Sequence, residues 1–196
     1  MQVKNQRRSN EERTRQTRAA LIVAARSLFL EKGFAETSTP EIVKAAKVTR
    51  GALYHHFDDK IDLFRSVIEA EAEAVASEIE ASTSTDMAPL EAMIEGAGAY
   101  FDAMSAPGRA QLMLIDGPAI LGHQEISAID RQTGGEELRQ GLAFVFGDRA
   151  DDAHITATAD LLSAMFDRAA LAIALGAKPE PYKAGLTTLL RGLAKG

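Results

Sequence analysis

The sequence predicts an all-α protein, and three observations carry that reading. Apolar residues recur at the three- and four-residue steps of a helix face, as in Leu21, Ile22, Ala25, Leu28 and Phe29. Capping residues and glycines punctuate the chain where such faces begin and end. No run of β-branched residues alternates with polar ones, as a half-buried strand requires. The punctuation divides the chain into about nine helices.

The first helix is expected from about Asn10 to Lys32, where Gly33 follows a cationic last turn and suits a helix end at positive φ. A second begins at Ser38-Thr39-Pro40-Glu41 and ends near Ala46. Ser38 caps it, Pro40 fits its first turn, and Glu41 reaches back as the capping-box partner. Thr49 caps a third helix through Phe57. Asp58 or Asp59 opens a longer fourth, with Ile61, Phe64, Val67, Ile68, Val75 and Ile79 on its apolar face and Glu69, Glu71, Glu73, Glu78 and Glu80 on a solvated one. Ser82-Thr83-Ser84-Thr85-Asp86 is a linker, because such side chains compete for backbone hydrogen bonds outside helices. Further helices are expected from Pro89 to Met104, Gly108 to Ile115, Glu136 to Phe146, Asp151 to Leu175 and Pro181 to Ala194, with a break at Asp116-Gly117-Pro118. The chain thus divides into a domain over 1–57, a connecting helix over 58–81 and a second domain over 82–196.

The 196 residues, 46% hydrophobic and 26% charged, are apolar enough to bury a core, which excludes wholesale disorder. The absence of cysteine excludes disulfides, thiolate zinc sites, iron–sulfur clusters and a cysteine nucleophile. There is no nucleophile elbow, phosphate-binding glycine loop or His-Glu-x-x-His motif, and two of the four histidines are spent at His55-His56. No metal, cofactor or enzymatic role is therefore expected. No apolar run approaches the roughly 18 residues of a membrane span, and the start lacks the apolar core of a signal peptide, so a cytoplasmic location is expected. Charge is unevenly spread. Residues 1–65 carry 13 Lys+Arg against 8 Asp+Glu, and residues 66–196 carry 9 against 20. The basic front end either meets a polyanion or solvates a helix surface.

Ser38 to Phe57 has the anatomy of a helix-turn-helix, with Ala45, Val48, Leu53 and Phe57 as its expected buried contacts. Arg50, at the second helix's first position, has the planar fork that pairs with guanine O6 and N7, and the Ala52 methyl can touch thymine. Gly51 permits close approach. Tyr54, His55, Lys60 and the Ser38 and Thr49 hydroxyls suit phosphate oxygens.

The residues Glu31-Lys32-Gly33-Phe34, Thr37-Ser38, Ile42, Ala45 to Phe57 and Lys60-Ile61-Asp62-Leu63 resemble the DNA-binding domain of TetR-family transcriptional regulators. The similarity covers roughly residues 12 to 65. Lys47 departs from it, standing where the family commonly places a turn glycine, and so does Pro40. The resemblance implies an all-helical homodimer. Three N-terminal helices bind a palindromic double-stranded operator, and a C-terminal domain holds the dimer interface and a ligand pocket. It assigns the DNA contacts to Ser38, Thr49, Arg50, Gly51, Ala52, Tyr54, His55 and Lys60. Gln111 to Gly122, with Ile129-Asp130 and Leu138, resembles a subset of such regulators.

In the C-terminal half, Tyr100, Phe101, Met104, Met113, Phe144, Met165 and Phe166 are of the kind that line a pocket for an apolar or amphipathic small molecule, although core packing competes for each. His123 and His154 could orient a ligand or titrate. Asp167-Arg168 reads as a buried pair or as a solvent-facing edge. Leu186, Leu189, Leu190 and Leu193 can form a seam with the small residues around Ala164, Ala169 and Ala172. That seam serves a second subunit, or the helices are simply the centre of their own domain. The rival to a ligand-responsive regulator is a DNA-binding protein without an effector, constitutive or architectural.

Overall fold

A computed structural model describes residues 2–84 and 86–195, with residues 2–9 described by their backbone alone; Thr85 of the expected linker lies outside the described residues. Among the described residues there is no strand. Eleven α-helical segments of the described residues, two pairs of them linked by π-helical turns, make nine helices. The chain forms two compact units, residues 1–70 and 71–196.

The first unit is built from α1 (Gln2–Glu36), α2 (Thr39–Ala45), α3 (Arg50–His56) and the first turns of α4 (Lys60–Ser82). Helix α1 begins well before the expected Asn10. Its early residues are good helix formers, and Glu12 accepts hydrogen bonds from Arg15 and Gln16 within the helix. The expected interruption falls at Gly33, with φ 79° and ψ 164°, a conformation that side chains disfavour. A helical turn then continues to Glu36. The core is Leu21, Ala25, Phe29, Ile42, Leu53, Phe57, Leu63, Phe64, Val67 and Ile68, all buried. Phe29, Phe34 and Phe64 meet with ring centroids 5.3–5.5 Å apart. Ala45 is exposed instead of buried, because Ile42 supplies the contact of the short α2 with the core.

The second unit is arranged around α5 (Pro89–Met104), which packs against α9 (Glu136–Phe146), α10 (Asp152–Ala174) and α11 (Pro179–Lys195). Its core includes Phe101, Met104, Leu142, Ile155, Leu162, Leu186 and Leu190. Gly141 lets α9 approach closely, since a Cβ there would lie 3.0 Å from Met93 Cγ. Between α5 and α9 come α6 (Arg109–Gln111), α7 (Gly117–Leu121) and α8 (His123–Asp130). The break expected at Asp116-Gly117-Pro118 is instead a π turn, Leu112–Asp116, whose wide pitch is closed by a hydrogen bond from Gly117 N–H to Leu112 O. This lets the helix pass Pro118, which sits in the first turn of α7. The real interruption is at Gly122, φ 87°. A second π turn, Arg131–Gly135, carries the helix through Gly134-Gly135, so helical structure begins at His123 and not at Glu136.

The acidic face expected on α4 is only partly solvated. Glu71 is buried and accepts from Arg109 Nε at 2.9 Å, while Glu78 accepts from Arg109 Nη1 at 3.0 Å. Arg109 also donates to Ala103 O at 2.6 Å. Burial opposes the charge on Arg109, and the two carboxylates more than offset it, holding the guanidinium above its usual pKa.

Candidate nucleic-acid interface

The recognition element begins in the turn between α2 and α3. Lys47 takes φ 56° there, unlike every other described non-glycine residue. Lys47 N–H bonds to Lys44 O and Val48 N–H to Val43 O, the paired closure of a left-handed helix end. A lysine in place of the glycine thus puts backbone strain in the turn that aims α3. Thr49 then caps α3, its Oγ1 accepting from Ala52 N–H at 3.1 Å, which leaves its own hydroxyl proton to donate outward.

Beyond the cap, Arg50, Gly51, Tyr54 and His55 are exposed and Ala52 is half-buried, while Leu53 and Phe57 turn inward. A Cβ on Gly51 would meet only Thr49 Oγ1, at 3.9 Å, so no packing inside the chain requires glycine there. The Arg50 guanidinium lies 5.5 Å from the Tyr54 ring centroid. Hydrogen bonding to Thr39, and then to Arg50, draws the Tyr54 phenol below its ordinary pKa. His56, half-buried beside His55 and Arg18, has its pKa lowered first by desolvation and then by those two neighbours.

Two of the expected phosphate ligands are engaged within the fold. Ser38 donates both its N–H and its hydroxyl to Glu41, which also accepts from Lys32 Nζ at 2.6 Å. Those bonds hold the Glu41 carboxyl down to about 2. Lys60 is the larger departure. Its Nζ donates to Phe34 O at 2.7 Å, Ala35 O at 3.4 Å and Thr37 O at 2.9 Å, and it stands 4.3 Å from the Phe34 ring centroid. An ammonium has three protons, and these carbonyls at the end of α1 take all of them. Lys60 therefore fixes the α1–α2 junction from within. Sequence reasoning also missed Arg18, whose guanidinium lies 5.3 Å from the centroid of Phe57 and donates to Ser66 Oγ at 2.9 Å.

The eight residues considered for a ligand pocket do not converge. Tyr100, Phe101 and Phe166 form one ring cluster, Met104 is buried in the core, and Met113 packs partly buried against it. Phe144 is exposed to 72%, Met165 is exposed, and His123 is exposed as well. Except for Phe101, their side chains meet one another or solvent. A cavity of 280 Å³ lies instead between α5 and α11, lined by Ile94, Glu95, Gly98, Phe101, Asp102 and Lys183 among others. Tyr100 Oη donates to Asp167 Oδ1 at 2.6 Å, so Asp167 pairs with the phenol and not with Arg168. His154 stacks edge-on against Phe146.

The expected seam of small and leucine residues also divides. Ala169, Ala172, Leu186 and Leu190 are buried in the unit's own core and Leu193 packs partly against it, whereas Ala164 and Leu189 are exposed. The step of three and four residues points the inner leucines at α5, leaving Leu161, Ala164 and Met165 as the apolar outer stripe of α10. Among the described residues no group of three or more acidic or histidine side chains could hold a metal, and no helix is long and apolar enough to cross a membrane.

Comparison with known proteins connects this geometry to others. Residues 21–67 match the profile of bacterial regulatory proteins of the tetR family, and residues 90–196 match that of the tetracyclin repressor-like C-terminal domain. The chain is 49% identical over 53 residues to the HTH-type transcriptional repressor BepR of Brucella suis, which is 27% of this chain and 25% of that one. The match thus spans a quarter of that relative's length. A crystal structure of a TetR-family transcriptional regulator from Pectobacterium atrosepticum superposes with a TM-score of 0.65 at 28% identity, over 93% of this chain and 94% of the other. The crystal structure of BioQ with its natural double-stranded DNA operator shares the fold, with a TM-score of 0.65 at 23% identity over 91% and 98% of the two chains.

Proposed function

The chain belongs to the TetR family of transcriptional regulators, and from that premise we propose that it is a repressor that binds a palindromic operator as a homodimer and is released by a small molecule. The observation that carries the DNA-binding part is the outer face of α3. Thr49 caps it, Arg50 opens it, and Arg50, Gly51, Tyr54 and His55 stand exposed while Leu53 and Phe57 anchor the helix from behind. A helix presented this way can enter a major groove, with Arg50 bidentate to a guanine and the Thr49, Tyr54 and His55 tips on phosphate oxygens. BioQ, a protein of the same fold, is found on its double-stranded operator, which is consistent with this use of the first unit. The location is the cytoplasm, where the operator is.

Two half-sites need two copies. The outer stripe of α10, Leu161, Ala164 and Met165, with Leu189 of α11, supplies exposed apolar surface for a two-fold contact. The effector is an apolar or amphipathic molecule held in the second unit, and α4, whose residues belong to both units, is the covalent path by which binding reaches the first. A second reading, a DNA-binding protein without an effector, is favoured by the close packing of Tyr100, Phe101 and Phe166 where a pocket was expected. Selection of bound duplexes from a random pool tests the main reading. An inverted repeat with half-site centres about 34 Å apart is expected, with Arg50→Ala losing roughly 1–3 kcal/mol of discrimination at one base pair per half-site. Selection of no common sequence would refute operator recognition.

A further inference from the structure

We propose that the cavity between α5 and α11 binds a small organic ammonium ion with an apolar body; the inference rests on the effector reading above for its regulatory consequence and deepens it, naming where the molecule sits and which charge it carries. The cavity has a volume of 280 Å³, just under the range of drug-sized pockets, so it suits a small occupant. Phe101, Leu186 and Leu190, all buried, form its apolar wall. The opening exists because Ala97, Gly98 and Ala99 of α5 bring little side chain to it, and a Cβ on Gly98 would meet nothing within 4 Å.

The polar lining is chemically one-sided. Glu95, Gly98 and Asp102 follow one another at helical steps of three and four residues on one face of α5, so a carboxylate flanks the glycine on each side. Lys183 Nζ donates to both oxygens of Asp102, at 2.8 and 3.0 Å, and those two charges cancel. Among the described residues Glu95 has no such cation, since Arg191, further along α11, stands 3.7 Å from Glu91 instead. The lining is therefore left with the negative charge of Glu95. Two hydroxyls add to the bias. Ser82 donates its proton to Ile79 O at 2.7 Å and Thr187 donates to Lys183 O at 2.9 Å, so each has lone pairs alone to offer. Acceptors, an unbalanced carboxylate and an apolar wall together select a ligand that donates hydrogen bonds, carries positive charge and is otherwise apolar. An ammonium on a short aryl or alkyl body has those properties. An anion would face the charge of Glu95, with Lys183 already held by Asp102.

Calorimetry on the full chain with phenethylamine, phenethyl alcohol and phenylacetate tests this, since the three share a ring and differ in charge. The amine is expected to bind about tenfold more tightly than the alcohol, because charge-assisted hydrogen bonds are about twice as strong as neutral ones, and phenylacetate is expected not to bind. Glu95→Gln is expected to bring the amine down to the affinity of the alcohol. Gly98→Leu fills the cavity and is expected to abolish binding of both, while raising the melting temperature because it replaces a glycine within a helix. Binding of none of the three, tightest binding of phenylacetate, an amine preference unchanged in Glu95→Gln, or amine binding that survives Gly98→Leu would each overturn the inference and leave the effector reading standing. Repeating the amine titration with the selected operator bound separates the two. Amine binding that Glu95→Gln weakens and that leaves operator affinity unchanged would support the site and refute release from DNA through it.

Discussion

Lys47 shows how one backbone position sets the direction of a helix. A non-glycine residue at left-handed φ costs about 1–2 kcal/mol, and here that cost sits in the turn that orients α3. Lys47→Gly is expected to stabilise the protein by up to about 1 kcal/mol, the relief being partly offset by the glycine's greater freedom in the unfolded chain. A higher urea midpoint with an unchanged slope would show it. Lys60 offers a contrasting case, since its charge is spent on carbonyls of α1. Lys60→Met is expected to lower the melting temperature and leave the salt slope of operator binding unchanged. A slope reduced by about 0.9 per subunit would place the ammonium on a phosphate after all. Asp130 carries a pH signature. Desolvation and the nearby charge of Asp167 push its carboxyl up to about 6, with Asp160 adding to the effect and Arg131 opposing it. A carboxyl raised in the folded state contributes stability that is fully present below its unfolded pKa, near about 3.9, and lost as pH rises through the folded value. Asp130→Asn should therefore raise stability at pH 7 and flatten its dependence between about pH 4 and 7, as urea unfolding across that range would show. Glu41 and Glu136, both held down to about 2, act in the opposite sense, and only in more acid solution.

Among the elements, α4, α5 and α6 meet at a buried cation. Arg109 is buried and tied to Glu71, Glu78 and Ala103 O. Arg109→Met should cost about 3–5 kcal/mol, because it takes from the buried Glu71 the guanidinium bonded to it, and adding Glu71→Leu should restore much of that stability. Equal instability of the single and double variants would mean that packing, not charge, holds the junction. No sequence signal announced this pair, since Glu71 and Arg109 lie 38 residues apart and a glutamate among glutamates reads as solvated. The elements of the first unit were legible because their ends are written locally. Ser38 with Glu41, Thr49 before Arg50, and the glycine at 33 each specify a boundary through near neighbours. The stretch from Arg109 to Phe146 was not, because π turns have no strong local code, and glycine and proline pairs that usually stop a helix are carried through. The exposed residues of α3 followed from the cap and the helix register. The inward turn of Lys60 did not, as it depends on where the end of α1 lies in space.

At the scale of the whole molecule, the exposed outer stripe of α10 is the surface proposed for the two-fold contact. Leu161→Arg is expected to yield a folded monomer by light scattering, whereas Leu190→Asp, at a position only 1% exposed, should unfold the chain instead. A Leu161→Arg protein that stays dimeric would move the interface elsewhere. The two π turns have a consequence of another kind. Each is a helix holding one residue more than its pitch needs, so each is a point where the chain can lose a residue without rotating the helix beyond it. Gly134, with nothing within 4 Å of where a Cβ would stand, is the natural candidate. Its deletion would tighten Arg131–Gly135 to α pitch and keep Leu138 and Leu142 on the inner face. A deletion in the middle of α10 would instead swing every later side chain of that helix by about 100°. The second unit thus carries its tolerance for changes in length inside its helices, at two places where a spare residue is already stored.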